Sequence, residues 1–321
     1  MKDLSTQKAK KIHRKQFKPL SSGKLDGPRF EIARGSFEYP ESLTEIDHSP
    51  AIIYGIGNKE IISTRGLAII GARRATPYGQ SAAYEFAYEA ALQGVVIVSG
   101  GALGCDSQAH HGALDAKGKT IVVLGGGCDQ LYPEANRDLF QEVIDKGGAV
   151  ISERHWDFPP LPYTFRARNR IIAGLARAVL IVEAGLPSGT FSTADDALSI
   201  NRDVWAVPGS ISSPTSAGSN RLIYQGAMPI IDKEVFSDNI TDLFGVLKIQ
   251  NFAHENELHD EVFDALSANP MHLEELLAYD WPSKGNQDTL PWVMTKIAHL
   301  EQIGYITRYP DGRYGPTQSV R

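Results

Sequence analysis

The residues of this sequence best placed to do chemistry are arginines set beside glycine-rich turns, and the chemistry they suggest is anion binding. The apolar run Leu67–Ile70 breaks at Gly71 into GARRATPYG, with Arg73 and Arg74 directly behind the break. A second run, Val95–Val98, breaks at Ser99 into SGGALGCD, which offers Gly100, Gly101 and Gly104 for close backbone approach and Asp106 as a helix N-cap. Strand, glycine turn, helix is the unit that aims unpartnered N–H groups and the positive end of a helix dipole at an anion. A guanidinium at the same strand end adds bidentate phosphate recognition, although Arg73 and Arg74 also read as a plain exposed pair.

Three further stretches extend this edge. FRARNRIIAGLAR sets Arg166, Arg168, Asn169, Arg170 and Arg177 around Phe165. Arginines grip backbone phosphates while an aromatic offers a stacking face to an unpaired base. An amphipathic helix with Ile171, Ile172 and Leu175 in a core would explain the apolar positions equally well. It would not explain cations at a helix start, where they oppose the dipole. EAGLPSGT then places Ser188 and Gly189 at a turn with Thr193 just beyond, and GSN places Gly218 and Asn220 at the opening of a later helix.

Other motifs argue against competing chemistries. Gly118-Lys-Thr120 suggests a phosphate loop, but Gly112 stands one residue too far upstream and the motif precedes a strand. Gly125–Gly127 ends a strand without a GxGxxG register. Asp106 and His110 share a helix face at i, i+4, which suits a structural hydrogen-bonded pair better than a metal site lacking a third ligand. Glu183 is the strand-end carboxylate that would serve as acid or base if the chain were an enzyme.

The elements that position these residues alternate. Strands are expected at Leu67–Ile70, Val95–Val98, Thr120–Leu124, Ala149–Ser152, Ala178–Val182 and Val204–Val207. Helices are expected at Tyr78–Leu92, Ser107–Lys117, Glu134–Lys146, Arg168–Leu175, Phe191–Ser199 and Asn220–Gln225. The strands are short and continuously apolar, as strands covered on both faces should be, so the pattern implies an α/β fold with a doubly wound parallel sheet. The expected organisation is a basic flexible arm at 1–29, a lead-in segment at 30–65, the α/β domain at 66–232, a linker at 233–255 and a small winged-helix-like module of helices and a Pro-Asp-Gly hairpin at 256–321. The arm carries a net charge of +7 and residues 255–321 carry −6, within a chain of 321 residues and net charge −6. Bulk charge therefore does not recruit nucleic acid, and any such contact must be local. Two cysteines without a CxxC spacing suit a reducing cytoplasm, and no apolar run is long enough for a membrane span.

Taken in order, GAR..TPYG, SGGALGCD..AHHGAL, TIVVLGGGCDQLYP..N, ISE, F.ARNRIIAGL, VEAG..SGT..TA, VWAVPG and GSN.LI..GA resemble the DNA-processing protein A (DprA/Smf) family over roughly residues 40–232. The resemblance implies an extended Rossmann-like fold that binds single-stranded DNA without cutting it, needs no cofactor or metal, and forms homodimers. It also implies a protein that loads the recombinase RecA onto strands entering during natural transformation. It assigns phosphate gripping to Arg73, the glycine loop to Ser99, Gly100 and Gly101, base stacking to Phe165, and strand contacts to Arg168 and Arg170. This sequence departs from the family pattern at Cys105, where isoleucine is usual, and at Pro162, where some members have a lysine. It shows the basic arm in place of the N-terminal helical domain of many members.

A second reading is a nucleotide-binding phosphoribohydrolase similar to the lonely-guy enzymes, whose signature is PGGxGTxxE. Here LPSGTFSTADD lacks the second glycine and the glutamate, so Glu183 would have to serve.

Overall fold

The structure is a computed structural model that describes residues 24–246, 260–285, 288–302, 305–309 and 311–316. Most of the basic arm and the end of the expected linker lie outside these residues. The chain divides into two compact units, Met1–Ile249 and Gln250–Arg321.

The first unit is built on a nine-stranded sheet. Its strands are β1 (Arg29–Ala33), β2 (Ile52–Gly57), β3 (Gly66–Ile70), β4 (Ile97–Ser99), β5 (Thr120–Val123), β6 (Ala149–Ser152), β7 (Ala176–Ile181), β8 (Asp203–Ala206) and β9 (Met228–Pro229). They lie in the order β1-β2-β6-β5-β4-β3-β7-β8-β9. From β6 to β9 every pairing is parallel, as the alternating pattern implies. The lead-in corrects the expectation: it is no separate segment, because β1 and β2 extend the sheet in antiparallel pairing. The end of the arm is also held. Leu25 is buried, and Asp129 accepts hydrogen bonds from Arg29 and pairs with Lys24. Burial opposes ionisation of Asp129, but Arg29 and Lys24 outweigh it and hold the carboxyl below its usual range.

Helices α1 (Pro77–Leu92), α2 (Cys105–Asp115), α3 (Arg137–Asp145), α4 (Pro162–Gly174), α5 (Thr190–Ser199), α6 (Ala217–Tyr224) and α7 (Lys233–Phe244) accompany the sheet. Alternate residues of β3 enter different cores. Ala68 and Ile70 pack with Ile171 and Ile172 of α4, while Leu67 and Ile69 pack with Ala83, Ala87 and Ala109 of α1 and α2. This two-sided burial is why the strands read as unbroken apolar runs. α7 occupies the start of the expected linker and buries Phe236 and Ile240 in the second core.

The chain winds outward from β3 to β6 in one direction, then crosses over to β7 and proceeds the other way. The strand order therefore reverses between β3 and β7. In open α/β sheets such a switch point leaves a crevice at the carboxyl ends of the strands.

The second unit contains α8 (Glu261–Ala268), α9 (Leu273–Ala278), α10 (Thr289–Gln302) and a hairpin of β10 (Ile306–Arg308) with β11 (Tyr314–Pro316). Val262, Leu266, Leu276, Trp281, Trp292, Val293 and Ile297 form its core. Asp260 caps α8 and pairs with Lys296 of α10.

His110 of α2 does not pair with Asp106. Its Nδ1 lies 2.7 Å from Thr120 Oγ1 of β5, and that hydroxyl donates to the Ile97 carbonyl of β4 at 2.8 Å. With its proton so used, the hydroxyl accepts from Nδ1–H, which fixes a neutral ring whose Nε2 has no partner among the described residues. Burial pushes the His110 pKa down to about 3. The unfolded chain takes up a proton as pH falls through about 6.5, whereas the folded chain does not. The stability that His110 contributes is therefore complete above that pH and lost below it, by about 1.4 kcal/mol per pH unit. Urea unfolding between pH ~7 and ~5 should show a steeper loss in wild type than in His110→Asn. Equal slopes would contradict the buried neutral imidazole.

Candidate functional site

A cleft of about 610 Å³ opens at the switch point. Its walls come from the turn after β3 (Gly71, Ala72, Arg73), the turn after β4 and the start of α2 (Ala102, Asp106), α4 (Phe165, Arg166, Arg168, Asn169), and the loop into α5 with its first turn (Gly185, Ser188, Gly189, Thr193). The two glycine turns meet backbone to backbone. Gly104 has φ +81°, and a Cβ there would stand 2.3 Å from the Ala72 carbonyl oxygen, so only glycine allows this approach. Gly104, not Asp106, is the N-cap of α2. Asn136 holds the turn by donating to the Gly101 carbonyl at 2.9 Å.

The arginines divide into two groups. Arg168 is 5% exposed, and its Nη1 donates to the Gly100 carbonyl at 2.7 Å and to the Val123 carbonyl. It thus bolts α4 to the ends of β4 and β5. Burial pushes its pKa down to about 10, so it stays charged at neutral pH. Gly100 fits between this guanidinium and Asp106: a Cβ would lie 2.6 Å from Arg168 Nη2 and 2.7 Å from Asp106 Oδ2. Burial pushes the Asp106 carboxyl up against the pull of Arg168 and the Ala102 N–H. Arg170 lies outside the cleft and corrects the expectation of a phosphate contact. It makes an ion pair with Glu153 at 2.6 Å and donates to the Asp47 and His48 carbonyls. Arg73 and Arg166, by contrast, are exposed and carry no ion pair or hydrogen bond among the described residues. Arg73 lies over the Phe165 ring, 5.1 Å from its centroid.

The helix that carries Phe165 begins earlier than expected. Pro162 occupies its first position, and Thr164 Oγ1 accepts from the Leu161 N–H at 3.2 Å. Arg166, Arg168 and Arg170 therefore fall in mid-helix, and the dipole argument for an anion at a cationic helix start does not apply.

The remaining candidates sort by the same criterion. Asn169 donates to Ser192 Oγ at 3.0 Å and to the Gly189 carbonyl, so it ties α4 to the start of α5 while facing the cleft. Ser188 caps Thr190, Gly189 leaves open space beside it, and Thr193 is buried at the cleft wall. Ser99 is fully buried and donates to the Ile69 carbonyl at 2.6 Å, which leaves its side chain unavailable to a ligand. Gly101 is buried, with φ +68°. Gly218 packs on the carbonyls of Ala184 and Gly185, and Asn220 clamps the turn at Gly209, its side-chain oxygen accepting from the Gly209 N–H and its amide nitrogen donating to the Gly209 carbonyl; neither lines the cleft. Glu183 is also spent elsewhere. It accepts from the Thr76 N–H at 2.8 Å and the Thr76 hydroxyl at 3.1 Å, capping α1 where a carboxylate complements the dipole. Arg166, grouped in sequence with the arginines around Phe165, lies in the cleft wall.

A sequence model of the family described as DNA recombination-mediator protein A matches residues 31–241. Protein Smf of Escherichia coli is 35% identical over 296 residues, covering 90% of this chain and 78% of the relative. DNA processing protein DprA of Streptococcus pneumoniae is 41% identical over 193 residues, covering 59% of this chain and 66% of that one. Among solved structures, DNA processing protein A of Helicobacter pylori, studied for its single-stranded DNA binding mode, superposes with a TM-score of 0.62 at 32% identity. That match covers 70% of this chain and 99% of the other. The chain belongs to the DNA recombination-mediator protein A family.

The two arginine groups have opposite thermodynamic signatures. Arg168→Ala leaves two buried carbonyls and Asp106 without their partner and should cost about 3 kcal/mol or more in urea unfolding. Arg73→Ala removes an exposed, unpaired side chain and should stay within about 0.5 kcal/mol of wild type. Equal losses in the two variants would contradict this division.

Proposed function

We propose that the chain is a non-enzymatic single-stranded DNA-binding protein of homologous recombination. The observation that carries the reading is the pair of guanidiniums, Arg73 and Arg166, which have no ion pair or hydrogen bond among the described residues and face a switch-point cleft beside Phe165. Family membership and the strand binding of the Helicobacter pylori relative support it. The strand backbone runs over Arg73, Arg166 and the loop at Ser188–Gly189, and Phe165 contacts a base. Bound this way, the protein shows little sequence preference, because phosphates and ring faces are common to all nucleotides.

The same proposal includes a cytoplasmic homodimer that delivers its strand to the RecA recombinase in natural transformation or a related strand-exchange pathway. These parts rest on family resemblance. Sedimentation velocity and pull-down with purified RecA test them, and a monomer that ignores RecA would remove them. Glu183 argues against the phosphoribohydrolase reading, since it is engaged as a helix cap and does not line the cleft.

Fluorescence anisotropy of a labelled single-stranded oligonucleotide tests the central reading. Arg73→Ala and Arg166→Ala should each weaken binding, and each should flatten the salt dependence of log K by about 0.7 for one lost phosphate contact. Arg170→Ala should leave that slope unchanged, and a nucleoside monophosphate should not displace the strand. Binding indifferent to both Arg73 and Arg166, or full displacement by the monophosphate, would overturn it.

A further inference from the structure

The cleft also carries a charge that does not suit a phosphate. Two carboxylates line it, Asp106 and Asp195. Asp106 is buried and faces the Arg168 guanidinium. Asp195 is exposed, and it makes no ion pair or hydrogen bond among the described residues. It stands on α5, five residues past Thr190, the first residue of the helix. That places it about 7.5 Å along the axis from the helix end whose dipole attracts anions. Asp195 also lines a second hollow, of about 470 Å³, bordered by Leu198, Arg202, Trp205, Leu222 and Met228 toward the β8–β9 edge of the sheet. The lining cation of that hollow, Arg202, is already paired with Glu45. One carboxylate therefore marks the boundary between two spaces. On one side is a cleft lined by Arg73 and Arg166, which make no ion pair among the described residues, and on the other a hollow whose arginine is engaged.

From this geometry we infer that Asp195 is a specificity-determining residue that ends the phosphate track. It repels the backbone of a strand passing the Ser188–Gly189 loop and keeps it out of the hollow at the sheet edge. The inference rests on the strand-binding reading above and adds where the bound stretch stops. Like charges brought together across an interface cost affinity and suppress wrong registers, so a single acid can define the end of a site built from cations. The repulsion between exposed charges fades beyond a Debye length, about 10 Å at 0.1 M salt, so it acts most on phosphates brought alongside α5. The start of α5 and Asp195 thus act in opposite senses on one strand. The helix end favours a phosphate at Ser188–Gly189, and the carboxylate disfavours one farther along the same helix.

Anisotropy with single-stranded oligonucleotides of about 4 to 16 nucleotides tests this through the length dependence of affinity. Wild-type affinity should stop rising at a shorter length than that of Asp195→Asn, and Asp195→Lys should extend the rise further. With the longest strand, Asp195→Asn should bind about 2- to 5-fold tighter than wild type, the range for relief of one exposed like-charge contact. That gap should close as salt is raised. Asp195→Lys turns the stop into a contact and should steepen the salt dependence of log K by about 0.7. Asp195→Glu keeps the charge and should bind as wild type. Asp242→Asn, which removes an exposed carboxylate from α7, should leave the length dependence unchanged. The inference is overturned if Asp195→Asn and Asp195→Lys keep the wild-type length dependence, whether their affinity is unchanged or is raised equally at every length. A wild type that binds no single strand would instead remove the reading on which the stop rests.

Discussion

The site depends on one buried charge. Arg168 sits in the sheet edge with its guanidinium on the carbonyls of Gly100 and Val123, facing Asp106. The ends of β4 and β5 carry carbonyls that no neighbouring strand can satisfy once the chain turns away into its glycine loops. A planar, permanently charged donor fork meets that need in a way a lysine could not. By fixing α4 against those strand ends, Arg168 also sets where Phe165, Arg166 and Asn169 stand. The residues free to meet a ligand are thus positioned by one that is not free.

This division explains why the arginine-rich segment carries so many cations at helical spacing. Arg168 holds the strand ends, Arg170 is paired with Glu153 and fastened to the loop at Asp47–His48, and Arg166 lines the cleft with no ion pair among the described residues. One helix joins three parts of the protein and offers one charge to solvent. The same economy holds for carboxylates. Glu183 and Asp106 line up with strand ends as catalytic acids would, yet one caps α1 and the other faces the buried guanidinium.

Local patterning made the parallel sheet legible, because strands buried on both faces are written as unbroken apolar runs and each is followed by a helical period. The position of the cleft was legible too, since glycine turns at strand ends cluster on one edge. Partners distant in sequence were not legible. Nothing near Glu183 reveals Thr76, 107 residues away, and nothing near Arg170 reveals Glu153 across a loop. β1 and β2 read as a lead-in because β1 pairs with β2, and β2 joins the sheet through antiparallel pairing to β6, about a hundred residues away. The apolar period of α4 begins near Ile171, so its true start is marked in the sequence only by Pro162, a residue preorganised for the first helical position.

The most direct measurement of the account is photocrosslinking of a single-stranded oligonucleotide carrying 4-thiothymidine, followed by identification of the modified peptides. The cleft at the switch point predicts crosslinks in the segments around Arg73, Phe165 and Ser188. Crosslinks confined to the C-terminal unit, with those segments unmodified, would contradict it.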